Sequence, residues 1–499
     1  MKKLIIIVFI SLAICSCTTN QSLIKTRNNH FTKELTELRD FFHIPAVSVI
    51  IKNGDRTIYE NYLGYTNLNT KVLNDSSTTF PIASLTKIFS AVLIMKLVEE
   101  KKLNLNDPIN KFITNQSLSD SIKIKHILSH TSQGPIGQHF YYSSRFGWLT
   151  NVIEKASGQS FKKEITEKII QPLGLKNTYL LEDSLQLSHE NRKIAMPYFY
   201  EGDVKDGFID YGFSSAAGLT STVRDLAVFS SALDANSLIT ADSKNTMFTP
   251  FKDSLPYGQG IFSQKFQNQN MIWGYGQYDC YSSLLLKVPS KNLTFIIVAN
   301  NNLMSDPARL IYGDVSYSLF ALSFLKNYVF NLTNEPLLEN AQSLNTLENR
   351  ISKANAEFYR KKLFAQSIAE SFLAQYNSNN KKMSISILQK AFKIYPNYES
   401  YSHLSLLHNL SFLKSITLFK EQKNFKDFDK EIENIGLKLL TIDKDNPYAN
   451  YYLANLFSSN NSNDIALKFY ERIINAKNFS RNWYTSGAEN WINEYQKKN

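Results

Sequence analysis

The sequence predicts an α+β fold, an antiparallel sheet flanked by helices, followed by an all-α helical-repeat region. Short runs rich in Val, Ile and Tyr pair across turn residues near both ends of the first 325 residues, and helical periodicity fills the stretch between them. From about residue 326 the helical pattern continues with almost no glycine. At 43% hydrophobic and 20% charged over 499 residues, the chain is neither disordered nor collagen-like. Its 55 Lys and Arg against 44 Asp and Glu give a net +11, but the charges are scattered. A nucleic-acid binder would carry clustered basic stripes, so no nucleic-acid partner is expected.

Taken in order, the chain begins with Lys2 and Lys3 before an apolar run from Leu4 to Ile14. That run is too short and too one-sidedly flanked to span a membrane, and residues 1–16 read as a signal peptide. Ile14-Cys15-Ser16-Cys17 resembles the bacterial lipoprotein processing box, where a small residue precedes the cysteine that takes lipid. The expectation is lipidation at Cys17, a polar tether over 17–31, and a protein held in the bacterial cell envelope outside the cytoplasm. Cys280 would then be the one internal thiol, which excludes disulfide scaffolding and cysteine-ligated zinc. No cofactor or metal motif is present. His126 and His130 are four apart, but the Glu of a hydrolytic zinc helix is missing between them.

Residues 32–325 form the first expected domain. Ala46 to Lys52 and Thr57 to Leu63 flank Asn53-Gly54-Asp55, a hairpin signal. Ser282 to Val288 and Leu293 to Asn300 flank Pro289-Ser290-Lys291-Asn292 in the same way. Between them lies a clear helix, Ser84 to Lys101, and after them the helix-like Asp306 to Phe324. Residues 326–499 form the second domain. Leu453-Ala454, Phe457, Ala466 and Tyr470 resemble a tetratricopeptide helix pair, and Leu388, Ala391 and Pro396 a partial second copy; a generic helical bundle accounts for the same pattern.

The chemistry points to Ser84 and Lys87. Three apart at a helix start, they share a face, so the amine can reach the hydroxyl and assist its deprotonation. The spacing itself recurs, for example at Ser160 and Lys163, so context decides. The extended Thr79-Phe80-Pro81-Ile82 leads in, and a helix with apolar Ile88, Val92 and Met95 comes after it, which places the Ser84 hydroxyl at a helix N-terminus where developing negative charge is favoured.

Phe80-Pro81-Ile82-Ala83-Ser84-Leu85-Thr86-Lys87 with Leu103-Asn104-Leu105-Asn106-Asp107-Pro108 resembles the serine β-lactamase and penicillin-binding protein superfamily, nearest its class C, D,D-peptidase and esterase branch. Ile124 to Gly134, Tyr141-Tyr142-Ser143-Ser144, Pro172-Leu173-Gly174-Leu175 and Ala217-Gly218-Leu219 occur in the family's order, so the likeness covers roughly residues 35–325. The resemblance implies Ser84 as nucleophile, with Lys87 and Tyr142 managing the proton. A nearby lysine cation would pull the Tyr142 phenol toward its anion. It also implies an oxyanion hole from the backbone amides of Ser84 and Gln277.

Two motifs depart from the pattern. Ser144 stands where the family has Asn, and the third motif reads Gly274-Tyr275-Gly276 without its cation. Ser144, Tyr275 and Gly276 are the substrate-binding candidates. The expected function is a membrane-anchored serine hydrolase that forms an acyl-enzyme on an ester or amide, with peptidoglycan-derived and D-amino-acid peptides among the candidate substrates. Its partner is then a small-molecule or peptide substrate. The altered motifs support a second reading, a catalytically weak scaffold whose helical repeats recruit a protein partner.

Overall fold

The computed structural model describes residues 24–113, 119–189, 192–376, 386–387, 390, 403–415 and 426–498. The signal peptide, Cys17, Leu388, Ala391 and Pro396 lie outside the described residues.

Twelve strands succeed one another along the described chain. They are β1 (Ala46–Asn53), β2 (Arg56–Asn67), β3 (Val72–Leu73), β4 (Phe80–Pro81), β5 (Tyr179–Leu180), β6 (Tyr198–Tyr200), β7 (Val204–Asp206), β8 (Leu219–Ser221), β9 (Phe262–Phe266), β10 (Gln269–Tyr278), β11 (Tyr281–Val288) and β12 (Leu293–Ala299). Seven of them make one antiparallel sheet in the order β3-β2-β1-β12-β11-β10-β9. The two expected hairpins meet at its centre, where Val47 faces Ala299 and Asn53 faces Leu293. Chain ends far apart in sequence thus become neighbours.

Alternation along β1 and β12 decides which residues cover each face. Val47, Val49, Phe295 and Ile297 face one core, which holds Phe31, Leu35 and Leu38 of helix α1 (residues 24–41) together with Phe320 and Phe324. Ala46, Ile50, Ile296 and Val298 face the other, which holds Ile88 and Val92 of helix α2 (Thr86–Glu99). Residues 24–31, expected in the polar tether, are the first turns of α1. Phe31 is fully buried there, and Asn28 Nδ2 donates to the Ile58 carbonyl at 3.1 Å.

The segment Asp306 to Phe324 does not form the continuous helix its pattern suggests. It breaks into short 3-10 turns at Leu310–Tyr312 and Val315–Tyr317 before the helix Leu319–Phe324. Arg309 at φ 46° and Gly313 at φ 85° take left-handed backbone, and Asp314 and Ser318 cap the second turn and the helix, so each turn stops before it can propagate. The helix continues as Leu325–Val329, straight through the expected boundary at 325/326. Beyond it the described chain is helical, and Pro447–Ser459 packs with Asn463–Asn475 as a pair that buries Leu453, Ala454, Ala466 and Tyr470. The first core runs without interruption from the sheet into these helices.

Candidate active site

Ser84 sits on a tight entry into α2. Strand β4 pairs with β8, the Ile82 amide donates to the Leu219 carbonyl at 2.9 Å, and a 3-10 turn (Ala83–Leu85) then leads into the helix. Ala83 holds φ 46°, a left-handed conformation that costs a non-glycine residue roughly 1–2 kcal/mol. The surrounding pairing holds this turn, which presents the Ser84 side chain at the helix start. Unlike a surface helix, α2 has no polar stripe, and almost every residue from Thr86 to Leu97 is buried. Lys87 is therefore held in the interior.

Lys87 Nζ donates to Ser84 Oγ at 2.8 Å and to the Ala216 carbonyl at 2.9 Å. The rings of Tyr142 and Phe146 cover it, with centroids 5.0 and 5.5 Å away. Burial pushes the amine down to about 7. Burial also pushes the Tyr142 phenol well above its ordinary value, and its interaction with the Ser84 hydroxyl only partly opposes that. This corrects the expectation that a lysine cation would favour a phenolate. In a site this dry both charged forms are costly, and the pair settles as a phenol beside an amine that titrates near neutrality.

Strand β10 runs past the same turn. A side-chain carbon on Gly276 would lie 1.9 Å from the Ile82 carbonyl oxygen, so only glycine lets the strand come this close. Strand β9 pairs with β10 only as far as Trp273, and no strand among the described residues covers the outer edge from Gly274 to Tyr278. The Gln277 amide thus stands at an open edge beside Ser84, as an oxyanion donor requires.

A sequence profile of the family described as Beta-lactamase matches residues 31–315. The chain belongs to the beta-lactamase family. Over 308 residues it is 27% identical to "Protein flp" of Staphylococcus aureus (strain MW2), covering 52% of this chain and 60% of the relative. The chain thus matches only about three fifths of that relative's length. Over 328 residues it is 24% identical to "Penicillin-binding protein 4*" of Bacillus subtilis (strain 168), covering 55% and 72%. Among solved structures, the octameric penicillin-binding protein homologue from Pyrococcus abyssi superposes with a TM-score of 0.53 at 21% identity, covering 67% of this chain and 80% of that one. This last likeness bears on the fold.

Where the family's pattern has Asn, Ser144 is exposed and starts a 3-10 helix capped by Ser143, while the Lys87 amine bonds the Ala216 carbonyl. In the third motif Tyr275 is buried against Phe262 and Trp273, with its ring centroid 6.1 Å from that of Tyr142. The Gln277 side chain donates to Asp306 at 2.9 Å, and Asp306 pairs with Arg309 at 2.9 Å. Its amide stays available while its side chain is committed.

Two site residues are not legible as such in the sequence. Ala216 acts through its backbone, which no side-chain pattern reveals. His130, marked in the sequence by its spacing from His126 and by the Ile124 to Gly134 motif but given no role, is fully buried and stacks on Tyr142 at 4.3 Å. Its Nδ1 accepts the Ser143 amide at 3.0 Å, and burial, then the Lys87 charge, hold it neutral. Its place in the Ile124 to Gly134 segment, just ahead of the tyrosine motif, is the signal that could have found it.

Proposed function

We propose that this protein is a serine hydrolase that acylates Ser84 and then hydrolyses the ester formed. The observation that carries the reading is the buried Lys87 amine 2.8 Å from Ser84 Oγ, titrating near 7. In its neutral form the amine takes the Ser84 proton as Oγ bonds to the acyl carbon. The Ser84 and Gln277 amides receive the oxyanion. When the bond to the leaving group breaks, the Tyr142 phenol donates a proton to the departing oxygen or nitrogen and recovers one from the Lys87 ammonium. Water then attacks the acyl-enzyme by the reverse sequence.

Esters and uncharged amides are the favoured substrates, among them peptidoglycan-derived or D-amino-acid compounds. The third motif has no cation of its own, and Gln277 is tied to Asp306, so a substrate carboxylate lacks the family's usual receptor there. The signal-like N-terminus supports lipid attachment at Cys17 and a place in the bacterial cell envelope.

The test is intact-mass analysis after a fluorophosphonate or penicillin probe. An adduct is expected on the wild type and none on Ser84→Ala; folded protein that takes neither reagent would refute the reading. Turnover of p-nitrophenyl esters and D-aminoacyl amides should exceed that of a chromogenic cephalosporin. Cys17→Ala should move the protein from the membrane to the soluble fraction, and an unchanged distribution would remove the anchor.

A further inference from the structure

The tyrosine of the site stands on a segment that the helical tail grips. Alternation along this extended stretch sends neighbouring side chains opposite ways. Tyr142 turns inward over Lys87, while Tyr141 turns outward, donates its hydroxyl to Asp443 and packs on Phe479 at 5.1 Å. Asn478 fastens the chain just ahead of that stretch with three bonds. Its side chain donates to the carbonyls of Ser132 at 3.3 Å and Gly134 at 2.9 Å, and its backbone carbonyl accepts the Gly134 amide at 3.2 Å. Arg145, just past Tyr142, donates to Asn478 Oδ1 at 3.2 Å and to the Ser132 carbonyl at 2.7 Å. The Ser480 amide closes the seam on Gln133 Oε1 at 2.6 Å. Ser132, Gln133, Tyr141, Arg145 and Asp443 are buried, so the Tyr141–Asp443 bond and the Arg145 bond to Ser132 act away from competing water, while Asn478 is exposed and its bond to Gly134 lies at the rim.

We infer that the helical tail is a positioning element of the active site: Asp443 and the Asn478 to Ser480 segment hold residues 132–145 so that the Tyr142 ring stays closed over the Lys87 amine. The assignment rests on the hydrolase reading above and gives the tail an intramolecular task. The polar groups that face the amine are Ser84 from the turn that opens α2, Tyr142 from the gripped segment, His130 just ahead of it and tied to it by the Ser143 and Tyr141 amides, and the Ala216 carbonyl. Two of the four therefore depend on the grip. Loosening it misplaces the phenol and admits water to the amine, which then holds its proton to higher pH.

The experiment is the rate of fluorophosphonate labelling of Ser84 against pH in the full chain. The variants are Asn478→Ala and Asp443→Asn, with Tyr470→Phe as comparator, whose hydroxyl bonds Asn455 within the tail. Both seam variants should label about 10- to 100-fold more slowly, as expected when a reacting group is displaced by an ångström or so. Their pH midpoint should rise by about half a unit or more, while Tyr470→Phe tracks the wild type. A merely structural role would lower the melting temperature and leave the midpoint in place. Should Asn478→Ala lose the fold, Asn478→Asp carries the same expectation, because it keeps the acceptor and removes both N–H donors. Seam variants that label within about twofold of the wild type at an unchanged midpoint would overturn this assignment alone. Wild type without label at Ser84 would overturn the hydrolase reading and this assignment with it.

Discussion

An amine can serve as a base only after it has given up its proton, and the dry surroundings of Lys87 bring that event to about pH 7. Below that pH the group is an ammonium and cannot accept the Ser84 proton; above it the neutral amine can. The kcat/KM for an activated ester should therefore climb through about pH 7 and level off, with no alkaline fall from Tyr142, whose phenol is pushed far up. A profile flat from about pH 5 to about pH 9 would remove Lys87 from the role of base. Lys87→Met should lower kcat by about 10³-fold, the usual scale for losing a general base. The same shift makes a stability statement. The folded amine titrates near 7 against 10.5 for the free group, so unfolding takes up a proton between those values, and this group's contribution to stability falls as pH drops from the upper value to the lower and rises with pH across that window. Denaturant midpoints in Lys87→Met should lose that slope. His130 acts on the same residue from outside the proton path. Its ring supports Tyr142 and its Nδ1 satisfies the Ser143 amide, so His130→Phe keeps a ring but orphans a buried N–H, at a cost of about 1–3 kcal/mol in chemical unfolding.

Two elements meet at the site, the turn ahead of α2 and strand β10, and their separation is set by a single missing side chain. In Gly276→Ala the new carbon would overlap the Ile82 carbonyl and come within 2.7 Å of Ser283 Oγ. The strand must move away from the Ser84 turn and take the Gln277 amide with it. The expected result is a loss of about 1–3 kcal/mol from overpacking. With one oxyanion donor displaced, kcat should also fall about 10²-fold, read with any ester the wild type turns over. Full activity in Gly276→Ala would mean that the Gln277 amide is not a donor. Elements such as the hairpins β1–β2 and β11–β12 were legible because their turns, Asn53-Gly54-Asp55 and Pro289 to Asn292, are decided by residues adjacent in sequence. The broken stretch after Asp306 was not. Its left-handed Arg309 and its Asp314 cap are stabilised by partners far along the chain: Gln277 through Asp306, and Gln264 and Lys361 on Asp314.

At the scale of the molecule, sheet and tail are joined by charges as well as by apolar packing. Lys361, in the helix Ala356–Leu373, pairs with Asp314 at 2.6 Å with both side chains almost wholly out of solvent, and Lys326 pairs with Glu34 of α1 at 2.5 Å. Removing one partner strands the other, so Lys361→Met should cost about 3–5 kcal/mol, more than the double variant Lys361→Met/Asp314→Leu. Burial alone would raise Asp314, but Lys361, Ser316 and Gln264 hold its carboxyl below the ordinary value. Its contribution to stability is thus present above the unfolded value near 3.8 and is lost as pH falls through the lower folded one. Acid melts of Asp314→Asn should lack that loss. By itself the sequence determined the α+β class and the strand pairs closed by local turns, and it pointed to Ser84 and Lys87, with Tyr142 through the family resemblance, as the candidate chemical set, because hydrophobic period, turn chemistry and short motifs are written in neighbouring residues. Only the tertiary structure decided which of Lys87 and Tyr142 can change charge near pH 7, that the Ala216 carbonyl and His130 complete the site, and that the tail packs onto the segment bearing Tyr142. Each of those depends on desolvation and on contacts between residues remote in sequence, which a local motif such as the one holding His130 can mark but cannot specify.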